Sequence, residues 1–389
     1  MDNALLDIRC KPALQQPAWG DPGQLERVRA DLAARPPLVR AADVRALHDR
    51  LAGVAAGAGH VIQAGDCAED PDDCTAERVA SKAALLDLLA GVLGLVTRRP
   101  VVRVGRIAGQ FAKPRSKPTE VVDGVELPVY RGHMVNGPEA DPDSRRADPL
   151  RLLTGYMAAR DVMCRLGWTD GGRATGLPHV WTSHEALLLD YELPMLRRSD
   201  DGSLLLTSTH WPWIGERTRQ VDGAHVALLA EVANPVACKV GPGIQPDDLL
   251  ALCERLDPDR VPGRLTLIAR MGADAVARRL PPLVKAVAAM GHPVIWLTDP
   301  MHGNTVTTHH GHKTRFVDTL EREVAAFCHA VGEGGGTAGG LHLEATPHPV
   351  AECVRNERDL ARTGGTYTSH CDPRLNPGQA ISVVSAWHC

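Results

Sequence analysis

Residues 293–305 read PVIWLTDPMHGNT. Val294, Ile295, Trp296 and Leu297 form a short unbroken apolar run, and Asp299-Pro300 stops it, which is how a strand buried on both faces reads. A stop alone needs no histidine at the mouth, so His302 raises the question of whether the strand delivers side chains to a site. Outward from this stretch, seven further runs of the same kind recur, separated by segments of helical character. They are HVIQAGD near 60, PVVRVGR near 100, HVWTSHE near 179, WPWIGER near 211, NPVACKVG near 234, LTLIARMG near 265 and GGLHLEA near 339. Eight continuous apolar strands alternating with helices predict a parallel sheet closed into a (β/α)8 TIM barrel. An open doubly wound sheet is the alternative, weakened because no G-x-G-x-x-G follows the first strand. Residues 20–58 carry helical periodicity cut by Pro36-Pro37, so residues 1–58 are expected to form a helical extension on a catalytic barrel of residues 59–389.

Composition agrees with a globular chain: 389 residues, 44% hydrophobic and 23% charged, with a core that must be mostly aliphatic because there are only 3 Phe, 4 Tyr and 7 Trp. A formal charge of -4 gives no general attraction to nucleic acid or anionic membrane and leaves small anions as the better partners. No bilayer-spanning apolar run and no secretory pattern at the start are evident, so a cytoplasmic protein is expected. The 10 cysteines include no C-x-x-C pair and are expected to be mostly reduced, buried small hydrophobes.

The strand ends carry the chemistry. In order they present Asp66-Cys67, Arg106, Ser183-His184-Glu185, Glu216-Arg217, Lys239, Arg270, Asp299 with His302, and Glu344. In a barrel these ends converge on one mouth, and charges there need partners or ligands. Arg106, Lys113, Arg115, Arg217, Lys239 and Arg270 suit phosphate or carboxylate. Cys67, His302, Glu344 and Asp372 offer a thiolate, an imidazole and two carboxylates, a donor set for a divalent transition metal. The polar loops 113–149 and 303–314 leave strands and suit an active site.

The segments GDCAE (65–69), GRIAGQFAKPRS (105–116), SHEALLLDYE (183–192), WIGERTRQ (213–220), DPMHGNT (299–305), GGLHLEAT (339–346) and CDPRLNPGQA (371–380) resemble the type II 3-deoxy-D-arabino-heptulosonate 7-phosphate (DAHP) synthases. The resemblance runs from about residue 10 to the C-terminus. It implies condensation of phosphoenolpyruvate with erythrose 4-phosphate, with Mn2+, Co2+ or a similar ion held by Cys67, His302, Glu344 and Asp372. It also implies a phosphoenolpyruvate cradle of Arg106, Glu216, Lys239 and Arg270, and a sugar-phosphate grip of Lys113, Arg115, Ser116 and Arg217. Lys113 would donate a proton to the new alkoxide and Glu216 would orient water. Cys371, next to Asp372, is expected near Cys67, with which it could form a disulfide once metal is lost.

Two departures stand out. Only about forty residues separate YRGHMVNG from WTSHEALLLDYE, where longer members carry a helical pair that binds aromatic amino acids. Weak feedback inhibition and service to specialised metabolism are therefore expected. His133 replaces the usual Asp, and Asp70 the usual Thr or Ser, which opens the possibility of an aminated aldehyde and an aminoDAHP product. A metal-dependent aldolase or hydrolase and a non-catalytic partner are the remaining readings. A homodimer or dimer-based tetramer is implied by the resemblance.

Overall fold

The computed structural model describes residues 3–122, 124–169, 180–309 and 311–389. Eight parallel strands close into a barrel: β1 (His60–Gly65), β2 (Val101–Arg106), β3 (Trp181–Glu185), β4 (Trp211–Ile214), β5 (Val236–Val240), β6 (Leu265–Ala269), β7 (Ile295–Thr298) and β8 (Thr337–Glu344). These are the eight apolar runs of the sequence. Each strand pairs with the next, and β8 returns to β1 with Val61 beside Gly340 and Gly65 beside Glu344. Strands β5, β6 and β7 are buried along their whole length, which is why they read as continuous rather than alternating. At Gly340 the backbones of β1 and β8 approach so closely that a Cβ would lie 1.9 Å from the Val61 carbonyl oxygen, and its φ is 147°.

Helices Ala76–Thr97, Leu150–Arg165, Ala224–Glu231, Pro246–Leu256, Val276–Ala289 and Val317–Glu333 cover the barrel between successive strands. Between β3 and β4 the connection is a short helix, Leu189–Glu192, and a ribbon of Leu196–Arg198 with Leu204–Leu206. Three helices precede β1: Asn3–Cys10, Pro22–Ala34 and Ala41–Ala55. The last of them spans the amino ends of the strands. Thr337 Oγ1, at the start of β8, donates to Ala55 O (3.2 Å), and Gly263, just before β6, packs on the backbone of His48 and Ala52. That end is closed, so the carboxyl ends are left to form the site.

Two expectations need correction. Helix Ala76–Thr97 is long and apolar enough to cross a membrane by length and composition, although it packs Val79, Leu85, Leu86, Leu89 and Leu93 into the barrel core. The sequence reading missed it because Lys82 and Asp87 interrupt the run; Lys82 is buried in an ion pair with Asp66 (2.8 Å). Among the cysteines, Cys328 on helix Val317–Glu333 is bonded to Cys389, and Cys10 and Cys164 are exposed, so the expectation of mostly buried thiols holds for only part of the set.

Candidate active site at the carboxyl end of the barrel

The carboxyl ends of the strands wall one cleft. Its lining includes Cys67, Arg106, Lys113, Arg115, Ser116, Arg217, Lys239, Arg270, His302, Glu344 and Asp372, each on or just after a strand end or in a loop that returns to one. Cys67 follows β1, Arg106 ends β2, Lys239 lies on β5 and Glu344 ends β8.

Cys67, Glu344 and Asp372 offer ligand atoms that all lie within 4.8 Å of one another. His302 stands at the edge of this group rather than within it, lining the same cleft with its Nε2 3.7 Å from Glu344 Oε1. The turn after β7 explains its aim. Asp299 accepts hydrogen bonds from the Met301 and His302 backbone N–H groups and, at 2.8 Å, from ring Nδ1, and it pairs with the Lys239 ammonium at 2.9 Å. Burial would raise the Asp299 carboxyl, but His302 and Lys239 hold it well below the usual range. Burial pushes His302 down to about 4 against the pull of Asp299, which leaves a neutral ring with Nδ1–H spent on Asp299 and the Nε2 lone pair facing Glu344. Burial would also raise Glu344 and Asp372; the cations Arg315, Lys113 and Arg106 keep Glu344 ionised, and Lys113, Arg315 and Lys313 do so for Asp372. One sulfur, one imidazole nitrogen and two ionised carboxylates at this spacing fit a divalent transition ion. Lys113 donates to both Cys67 Sγ and Asp372 Oδ2, so its ammonium neutralises the cluster.

The cations around this cluster are held by specific partners. Arg106 donates to Asp66 O (3.1 Å), pairs with Glu344 (3.2 Å) and donates to His342 Nε2 (2.6 Å). His342 in turn faces Gln63 Oε1 at 2.6 Å, and Gln63 Nε2 donates to Ser183 Oγ (3.0 Å), a buried chain that runs down through the barrel. Trp213 forms a floor, with Arg106 and Lys239 over its ring at 5.4 and 5.8 Å. Arg217 donates to Ser116 Oγ at 2.6 Å, and Arg115 pairs with Glu120 at 3.4 Å. Among the described residues, buried Arg270 Nε has no hydrogen-bond partner.

A family model described as the Class-II DAHP synthetase family matches residues 4–175 and 162–386. The chain belongs to that family. It is 60% identical over 383 residues to a "Probable phospho-2-dehydro-3-deoxyheptonate aldolase" of Pseudomonas fluorescens, covering 98% of this chain and 95% of the relative. It is 41% identical over 422 positions to a "Phospho-2-dehydro-3-deoxyheptonate aldolase" of Streptomyces coelicolor, covering 96% of this chain and 94% of the relative. Among solved structures, the phospho-2-dehydro-3-deoxyheptonate aldolase of Francisella tularensis SCHU S4 is similar in fold, with a TM-score of 0.52 at 13% identity over 98% of this chain and 95% of that one.

Not every expected residue of this family member reaches the cleft. Glu216 does not line it; the carboxylate turns to Arg219 (2.9 Å) and packs against Gly241. Glu185, at the end of β3, stands in the wall instead, its carboxyl raised by burial and its Oε1 without a hydrogen-bond partner among the described residues. His133 lies behind the wall, edge-on to Tyr130 (5.6 Å) and 6.3 Å from the His370 ring, and Asp70 caps the short helical turn Pro71–Asp73. Lys313, Arg315, Gln110 and Trp213 were missed as site residues. Lys313 pairs with Asp372 at 2.8 Å and buried Arg315 with Glu344 at 2.9 Å, both from the far strand of a hairpin, Thr305–Thr307 with Lys313–Arg315, inside the loop after β7. The KTR at 313–315, where the polar loop 303–314 ends, was the available signal. His310 lies outside the described residues.

Proposed function

We propose that the chain is a DAHP synthase, a transferase that condenses phosphoenolpyruvate with erythrose 4-phosphate to give DAHP and phosphate. The observation that carries this is the gathering of six basic side chains, Arg106, Lys113, Arg115, Arg217, Lys239 and Arg270, around the Cys67, Glu344 and Asp372 cluster in one cleft. Two substrates with two phosphates and a carboxylate between them need that density of positive charge. Arg106, Lys239 and Arg270 take phosphoenolpyruvate, and Lys113, Arg115, Ser116 and Arg217 take the sugar phosphate.

Cys67, His302, Glu344 and Asp372 would hold the metal, with Mn2+ our choice and Co2+ the alternative. When bound, the ion supplies Lewis acidity for the aldehyde oxygen. The chain's own groups do the rest. Arginine and lysine contacts orient C3 of phosphoenolpyruvate toward the aldehyde carbon. Lys113, whose ammonium lines the cleft, gives its proton to the new alkoxide. Water then adds at C2 and phosphate departs by C–O cleavage. We assign the orientation of that water to Glu185, which faces the cleft, in place of Glu216, which is turned to Arg219.

An aminated aldehyde giving aminoDAHP is the alternative acceptor, suggested by His133 and Asp70, neither of which lines the cleft. Residues 1–58 serve as a helical extension of a single catalytic unit, 59–389. A cytoplasmic dimer or dimer-based tetramer with a role in specialised metabolism completes the reading; the Streptomyces relative aligns over 422 positions, more than the 389 residues of this chain, and so carries insertions this chain lacks. Incubating metal-loaded enzyme with phosphoenolpyruvate and a panel of phosphorylated aldehydes tests it. Release of phosphate with a product of DAHP mass is expected only with erythrose 4-phosphate; no phosphate release from any pair refutes it.

A further inference from the structure

Helix Val317–Glu333 sends one carboxylate, Glu323, inward beneath the site, where it is 1% exposed. Its partners come from two loops. The Gly272 N–H, two residues past Arg270, donates to Oε1 at 2.9 Å, and the Asn304 side-chain amide, two residues past His302, donates to Oε2. Asn304 is engaged on every side: its Nδ2 also donates to Pro300 O (2.8 Å), and its Oδ1 accepts from the Ala273 N–H (3.1 Å). The loops touch backbone to backbone at Gly272 and Gly303. Both have positive φ (83° and 95°), and a Cβ on Gly303 would stand 3.1 Å from the Gly272 backbone. Neighbouring Arg322 turns out to Asp274.

We propose that Glu323 is a positioning residue that ties the loop bearing Arg270 to the loop bearing His302, so that the grip on phosphoenolpyruvate and the grip on the metal are set together. A buried carboxylate with two fixed oxygens is suited to this, because each oxygen accepts from a different loop and neither loop can shift without stranding a buried donor. Glutamine in its place has one acceptor oxygen, and its NH2 would face the Asn304 NH2, donor against donor. The exchange of roles mends that. With Glu323→Gln and Asn304→Asp together, the introduced amide would donate to the introduced carboxylate and still accept from Gly272, while that carboxylate accepts from Ala273; the cost is at Pro300, where the bond from Asn304 Nδ2 (2.8 Å) gives way to a carboxylate oxygen facing the Pro300 carbonyl.

The inference rests on the roles proposed above for Arg270 and His302. The experiment measures three things on wild type, E323Q and E323Q/N304D: the Mn2+ dissociation constant by calorimetric titration, the KM for phosphoenolpyruvate with kcat, and the melting temperature. In E323Q the Mn2+ dissociation constant and the KM should rise together, by about 10-fold each. The double variant should recover both. An E323Q protein that melts lower but keeps wild-type KM and Mn2+ affinity overturns the proposal, as does a change in only one of the two, or a double variant that recovers neither. Wild-type protein that binds neither Mn2+ nor phosphoenolpyruvate overturns the functional reading itself, a different result from an indifferent E323Q.

Discussion

Asp299 ends a strand and also sets a histidine. Its Oδ2 stands 2.8 Å from His302 Nδ1 and 2.9 Å from Lys239 Nζ, so two predictions separate at this residue. His302→Ala should abolish metal-dependent turnover and metal binding while the melting temperature stays near wild type, as spectroscopic melting and calorimetric titration will show. Asp299→Asn should lose both, because it frees the imidazole and leaves the Lys239 ammonium buried without its anion, a loss of about 3–5 kcal/mol by analogy with other broken buried pairs. Cys67 and Cys371 make a third case. Both are free thiols joined by a hydrogen bond; that bond draws Cys371 down to about 7, while burial and the same contact push Cys67 up. Metal-stripped protein left in air should therefore form a Cys67–Cys371 disulfide, seen as a linked peptide pair lighter by two hydrogens; two unlinked peptides would refute this. His302 was legible at this scale from its place at a strand mouth. Lys239 as the partner of Asp299 was not, since sixty positions of sequence separate residues that the barrel brings together.

Elements succeed or fail as sequence signals according to what they bury. The eight strands were legible because a barrel strand is apolar on both faces. The ribbon Thr119–Val122 with Val125–Pro128 was not, because it is a short, largely exposed hairpin with no apolar pattern to distinguish it from a loop. The loop after β2 shows how such segments are fixed. Ala108 sits at φ 64°, and buried Glu69 accepts the backbone N–H groups of Ala108, Gly109 and Gln110. Glu69→Ala would strand three donors ahead of Lys113; a loss of about 1–3 kcal/mol for each donor that water does not reach is expected, measured by urea midpoint, together with a fall in kcat.

At the scale of the molecule, the barrel brings residues 67, 302, 344 and 372 to one mouth although no local motif joins them. That convergence could be expected from the order of strand ends, and the resemblance to the family named the ligands. The turn of Glu216 toward Arg219 could not, because it depends on a neighbour three residues on competing for the carboxylate. Nor could the Cys328–Cys389 bond, since cysteine spacing leaves pairings undetermined. The short segment before β3 leads to an expectation for the whole enzyme: Phe, Tyr and Trp at low concentration should leave its rate unchanged in a steady-state assay. Part of that segment, residues 170–179, lies outside the described residues. The claim beneath all of this is that four side chains from four loops hold one cation beside the anion-binding wall. Anomalous diffraction from crystals soaked in Mn2+ and phosphoenolpyruvate tests it most directly. The account predicts one strong peak bounded by Cys67 Sγ, His302 Nε2 and the Glu344 and Asp372 carboxylates, with Lys113 displaced from between Cys67 and Asp372; a peak elsewhere, or Lys113 unmoved and no peak among these four, would contradict it.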